Sequence, residues 1–218
     1  IDEGHTEIAK LLLQKGADPN KSGDDGYTPL MEAADAGDPA MAKLLIDKGA
    51  DVQAKNKNGW NAFMEAIDEG HYEITELLIA KGAKVNAQTK SGHTALMEAA
   101  DEGHLDITRL LLAKGATMQA QGDSGWSAFL EAIDEGHMEL IKLYVEKGAD
   151  VNEANDHGRT PLMEAADEGH IDVVKYLIQK GADVNLPTEN GYSPLTAAID
   201  DGHKEVVKLL VDKGADVN

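Results

Sequence analysis

TPLMEAADEGHIDVVKYLIQKGADVN, residues 160–185, reads as two short helices joined by a tight turn. Thr160 stands just ahead of the first apolar residues, where its hydroxyl can cap a helix. Pro161 fits a first turn, because the N–H it lacks has no intrahelical acceptor there. Gly169 supplies the permissive backbone that ends this first helix. Ile171, Val174, Tyr176, Leu177 and Ile178 then recur on one helical face. Lys180 falls in the last turn of that second helix, where the helix dipole favours a cation, and Gly181 terminates it. A long loop follows with Asn190-Gly191 at its tip, a tight-turn pair that Asn58-Gly59 repeats.

The same unit recurs along the whole chain. Gly26, Gly59, Gly92, Gly125, Gly158 and Gly191 lie 33 residues apart with no insertion. Gly4 to Gly202 and Gly16 to Gly214 form two further series in the same phase. Thr-Pro-Leu, the Ala-Ala pair, Gly-His, the Leu-Leu run and Gly-Ala-Asp-Val-Asn stand at fixed places in the unit, and this set resembles the ankyrin repeat family. The resemblance covers residues 1–218 as a single array: a partial unit, 1–24, then units starting near 25, 58, 91, 124, 157 and 190. It implies an all-α solenoid of stacked helix–turn–helix units with projecting β-hairpin loops. It also implies recognition through the hairpin tips and the first, inner helices. One departure recurs. The family's usual His after Thr-Pro-Leu is here Met31, Met64, Met97, Leu130, Met163 or Thr196, and a methionine at this place is expected to pack.

A second period of 66 residues lies on the first. Three places before each turn glycine the residues are Ile1, Ala34, Ile67, Ala100, Ile133, Ala166 and Ile199. Phe63 and Phe129 accompany the isoleucine, and Leu30, Leu96 and Leu162 the alanine. Large and small side chains alternating between layers fill a core, so these positions are expected inside it. The tip position after the loop glycine differs, with Tyr27, Trp60, His93, Trp126, Arg159 and Tyr192. In ankyrin-like proteins it varies and faces the partner, and Trp, Tyr and Arg are the types enriched at binding hot spots. Trp60 and Trp126 are therefore read either as anchors for a partner or as rings lying over the next hairpin.

Charge sorts by face. The first helices, from cap residue through turn glycine, hold Asp2, Glu3, Glu32, Asp35, Glu65, Asp68, Glu69, Glu98, Asp101, Glu102, Glu131, Asp134, Glu135, Glu164, Asp167, Glu168, Asp200 and Asp201, with no Lys or Arg. Nearly all of the formal net charge of −20 resides there. Acids in a helix's last turn oppose its dipole at roughly 0.3–1 kcal/mol each. Glu65 with Glu69 adds an i,i+4 repulsion. Mutual repulsion is expected to raise these carboxylates' pKa values. A feature repeated against local stability points to a role, set against the alternative that one duplicated block carried its surface along.

Other chemistries fit poorly. The negative balance argues against nucleic acid and anionic membranes, which call for a basic face. No apolar run approaches the ~20 residues that span a bilayer. With no cysteine there are no disulfides or thiolate sites, and a reducing, cytoplasmic setting is expected. Asp-Glu-Gly-His recurs at 68–71, 101–104 and 134–137, but its spacing does not converge ligands on one metal ion. No phosphate-binding loop, nucleophile elbow or His-Glu-x-x-His pair occurs. The expectation is thus a monomeric, non-catalytic protein-interaction module without cofactor. Tyr27, Trp60 and Trp126 would be aromatic anchors, with Glu65, Asp68, Glu69, Glu98, Asp101, Glu102, Glu131, Asp134 and Glu135 facing a Lys/Arg-rich segment. The alternative is a structural or engineered, consensus-like scaffold with no dedicated partner, acidic for solubility. The opening inside a first helix, and Val206, Val207, Leu210 and Val211 near the other end, lead to the expectation of a piece of a longer array.

Overall fold

Six of the seven-residue inner helices are built the same way, by a cap that the sequence supplies. The computed structural model describes residues 3–217; the readings placed on Ile1, Asp2 and the Glu3 side chain lie outside it. The Oγ1 atoms of Thr28, Thr94 and Thr160 accept the N–H of Met31, Met97 and Met163 at 3.3 Å. Each methionine Sδ in return accepts the threonine N–H, at 3.4, 3.4 and 3.5 Å. Asn61, Ser127 and Ser193 cap the remaining three. Pro29, Pro161 and Pro194 stand in first turns. The methionines are fully buried, so they both pack and help the cap.

Thirteen α-helices occur among the described residues, and they gather into two compact units. The first, residues 1–117, holds α1 (Glu3–Gln14) and three pairs. These are α2 (Pro29–Asp35) with α3 (Pro39–Asp47), α4 (Ala62–Asp68) with α5 (Tyr72–Ala80), and α6 (Ala95–Asp101) with α7 (Leu105–Ala113). The second, residues 118–218, holds α8 (Ala128–Asp134) with α9 (Met138–Glu146), α10 (Pro161–Asp167) with α11 (Ile171–Gln179), and α12 (Pro194–Asp200) with α13 (Lys204–Asp212). Within each unit inner helix packs on inner helix, α2 on α4 on α6 and α8 on α10 on α12. Helices of seven and nine residues are too short to persist alone, so each owes its stability to the neighbours that bury its face. No described helix is long and apolar enough to cross a membrane.

The layered core follows the 66-residue alternation. Ala34, Ile67 and Ala100 in the first unit, and Ile133 and Ala166 in the second, are all fully buried. Phe63, Phe129, Leu30, Leu96 and Leu162 are buried beside them, and Phe129 meets Tyr144 edge-on at 6.2 Å. Ile199 is the exception at 55% exposed. Two boundaries depart from the sequence reading. Lys180 is the C-cap of α11, one residue beyond its last turn, where its N–H bonds the carbonyls of Tyr176, Leu177 and Ile178. α1 runs through Gly4, which the glycine series marks as a turn.

The loops are tied from repeat to repeat. Asn20 donates to the Gly49 carbonyl at 2.9 Å and accepts the Asp51 N–H at 2.7 Å. Asn86, Asn152 and Asn185 do the same one repeat on from their own. The Asn of Gly-Ala-Asp-Val-Asn is therefore a clamp between units. Two of the hairpin loops close by single antiparallel bridges, at Gln88–Thr94 and Gln121–Ser127.

Candidate functional site

The tip residue is set by its loop. The N–H groups of Trp60 and Arg159 donate to Asn56 and Asn155 Oδ1 at 3.1 and 3.0 Å, and those of His93 and Tyr192 to Thr89 and Thr188 Oγ1 at 3.1 Å. An Asn or Thr side chain four residues earlier thus holds each of these four tips, and Trp60, His93 and Arg159 stand five residues before the glutamate of their inner helices, where Tyr192 has Ala197. This spacing turns tip and glutamate into partners. His93 Nε2 lies 2.9 Å from Glu98 Oε2. Arg159 Nε and Nη2 donate to the two oxygens of Glu164 at 2.5 and 2.8 Å, a bidentate fork, and Nη2 also reaches Asp167. Tyr192, the next tip, donates its hydroxyl to Asp167 Oδ1 at 3.1 Å and lies under the guanidinium, 5.5 Å from ring centroid to Cζ.

Three glutamates expected to face a partner, or equivalent to those that are, lie inside instead. Glu65 is 7% exposed, Glu98 5% and Glu164 3%. The tip residues roof them. The Tyr27 hydroxyl donates to Glu65 of the following repeat, as His93 and Arg159 serve Glu98 and Glu164. Burial pushes the Glu65 carboxyl up to about 7; the Tyr27 hydrogen bond works against it, and the charges of Asp35, Asp68 and Glu98 add to it. Glu98 is likewise raised, by burial first, with His93 opposing and Asp68 reinforcing. Burial pushes the Tyr27 phenol up as well, with Glu65 next. Desolvation therefore outranks the mutual repulsion that the sequence led one to expect.

What reaches solvent is the outer edge of the acidic series. Glu32, Asp35, Glu69, Glu102, Glu135 and Glu168 are exposed, while Asp68, Asp101, Glu131, Asp134 and Asp167 are half-buried. Tyr27, Trp60 and Trp126 are half-buried too. Asp68, Glu98 and Glu102 bring oxygens within 4.8 Å of one another, donors of the kind a hard cation takes, although Glu98 already has His93. The histidines of Asp-Glu-Gly-His do something else. His71, His104 and His170 Nε2 reach back to the carbonyls of Asp35, Asp68 and Asp134 at 3.1, 3.0 and 2.6 Å. They join the end of one inner helix to the next repeat. A groove of about 380 Å³ also lies beneath α1, lined by Leu12, Leu13, Tyr27, Glu32 and Met41 among others.

The sequence reading missed the buried glutamates because period alone puts every acid of an inner helix on its polar side. The signal available was the five-residue step from Arg159 to Glu164 and from His93 to Glu98, a cation held at constant distance from an acid.

A sequence model described as ankyrin repeats, in three copies, matches residues 1–89, 53–122, 83–155, 112–188 and 129–218. Among solved structures, the human ASB11 ankyrin repeat domain is similar at a TM-score of 0.79 with 31% sequence identity, over 88% of this chain and 86% of that one. No curated protein matches.

Proposed function

Because this chain belongs to the ankyrin repeat family, a family of non-catalytic modules that bind other proteins, we propose that it takes a Lys/Arg-rich segment of a partner protein on its acidic inner-helix edge. The observation that carries the reading is the row of exposed carboxylates at inner-helix ends, with no Lys or Arg in any of those segments. Glu69 and Glu102 in the first unit, and Glu135 and Glu168 in the second, are C-cap residues whose charge points away from the core. Trp60 and Trp126 are half-buried at the hairpin tips, and aromatic rings combined with acids suit a cationic side chain. Glu65 and Glu98 contribute to the field from beneath, and the direct contacts fall to their exposed neighbours.

The rival reading is an array with no dedicated partner, kept soluble by its charge. It gains from the in-chain partners of Glu98 and Glu164, which satisfy those acids without any ligand. Titration with a mixed Lys/Arg peptide at two salt concentrations separates the two. The proposal expects saturable binding that weakens several-fold as salt rises from about 50 to 200 mM, because exposed ion pairs are screened over a Debye length of about 10 Å. Absent or salt-insensitive binding overturns it. Reversing Glu69 and Glu102 to lysine should abolish binding; a variant that is stabilised and still binds favours the rival.

A further inference from the structure

Arg159 is a ligand that the chain supplies to itself. Glu164 grips it bidentately, Asp167 takes a second edge, and the Tyr192 ring closes the face, so that its side chain is only 25% exposed. The receptor is drawn from two successive repeats, and the arginine comes from a hairpin tip. An uninterrupted period gives each group a counterpart four repeats earlier: Glu32 for Glu164, Asp35 for Asp167, Trp60 for Tyr192, and Tyr27 for Arg159. The helices carrying the acids, α2 and α10, have the same sequence, PLMEAAD, with the same threonine–methionine cap. The acids and the aromatic group are thus kept, and the cation is not. Glu32 and Asp35 are both exposed, where Glu164 is buried under its arginine, and neither has an ion-pair partner among the described residues. Tyr27 brings no positive charge in place of the arginine: its hydroxyl bonds Glu65, while the nearby charges of Asp35 and Glu32 raise its phenol.

We propose that Glu32, Asp35 and Trp60 form a receptor for one arginine side chain of the partner, which would sit as Arg159 sits in the later repeat. This rests on the basic-partner reading and specifies it. Two features select arginine over lysine. A planar guanidinium offers parallel N–H groups to a carboxylate and still has an edge for a second acid, while a lysine ammonium is a point charge. The guanidinium face also stacks on an aromatic ring, and tryptophan is the strongest such ring. The Glu65 and Asp68 pair is the weaker candidate, because Tyr27 already occupies Glu65 and the next tip is His93.

The test uses the full chain and two capped heptapeptides of glycine and serine, one carrying a single central arginine and the other a lysine. The two tryptophan indole N–H resonances, assigned through W60F, report where each peptide lands. The arginine peptide is expected to shift the Trp60 resonance and to saturate at about tenfold lower concentration than the lysine peptide. E32Q/D35N should erase that preference, as should Y27R, which fills the receptor from within as Arg159 does. Equal affinity for the two peptides, or a preference that survives E32Q/D35N, overturns the receptor and leaves the broader basic-partner reading standing. Binding of neither peptide to the chain, with no binding of the mixed peptide either, overturns both.

Discussion

Glu65 shows what one residue costs and gains in this arrangement. It is a carboxyl placed under a tyrosine, against Asp35, Asp68 and Glu98, with 7% of its surface exposed. Its folded pKa of about 7 lies above the ordinary 4.5, so the neutral form is the one the fold prefers. The stability that this preference confers is complete below about pH 4.5 and is lost as pH rises through 7. E65Q keeps the shape and an acceptor for Tyr27 but cannot ionise. It is expected to stabilise the chain at pH 8 by about 1–2 kcal/mol, the unit conversion of 1.36 kcal/mol being discounted for partial hydration, and to change little at pH 4.5. Denaturant melts of both chains at the two pH values check this. Equal stability of E65Q and the parent chain at pH 8 would show that Glu65 ionises without penalty. Residue roles of this kind were only half legible in the sequence. The tip positions stood out as variable and aromatic, but which acid each one covers depends on where the loop backbone aims it.

At the scale of the element, the turn glycines separate two reasons for being glycine. Gly70, between α4 and α5, has φ +71°, and a Cβ there would lie 2.7 Å from His104 Cε1 in the next repeat. Gly82, after α5, has φ +91° but open space around it. Both substitutions to alanine meet the left-handed backbone penalty of roughly 1–2 kcal/mol. Only G70A must also displace the imidazole that binds the Asp68 carbonyl at 3.0 Å, leaving that carbonyl to find another donor. G82A is therefore expected to cost about 1 kcal/mol and G70A about 2–3 kcal/mol, measured by urea unfolding. Similar costs for the two would remove His104 from the linkage between repeats. The helices themselves were readable in advance, since Thr160, Pro161, Gly169 and the apolar stripe fix type and order. The role of histidine was not, because its acceptor lies 36 residues back on a neighbouring helix, beyond any local pattern.

For the whole molecule the governing quantity is how a net charge of −20 is distributed. The cations sit on and after the outer helices, where Lys43 with Asp47, Lys142 with Glu139 and Lys175 with Asp172 form exposed pairs worth little each. Arg159 and, when protonated, His93 bring in-chain cations to the inner-helix acids from the tips. The sorting was plain from the sequence, and the 33-residue period carried the fold; the division of the acids into buried and exposed sets was not, because it arises from side chains that cross between repeats. That division sets two opposite responses to salt. Screening relieves repulsion among Asp35, Glu69, Glu102 and their buried neighbours, so the folded state gains on the unfolded one as salt is added. The same screening weakens a basic segment bound to those acids. Raising NaCl from about 20 to 300 mM at pH 8 is expected to lift Tm by about 2–6 °C, equivalent to about 1–2 kcal/mol for a chain of this size. At pH 5 the gain should shrink, because Glu65, with its carboxyl near 7, is neutral there and Glu98 shifts in the same direction. Scanning calorimetry in this two-by-two design reads both effects. A salt response that is the same at both pH values would assign the stabilisation to general ion effects and remove the buried glutamates from it.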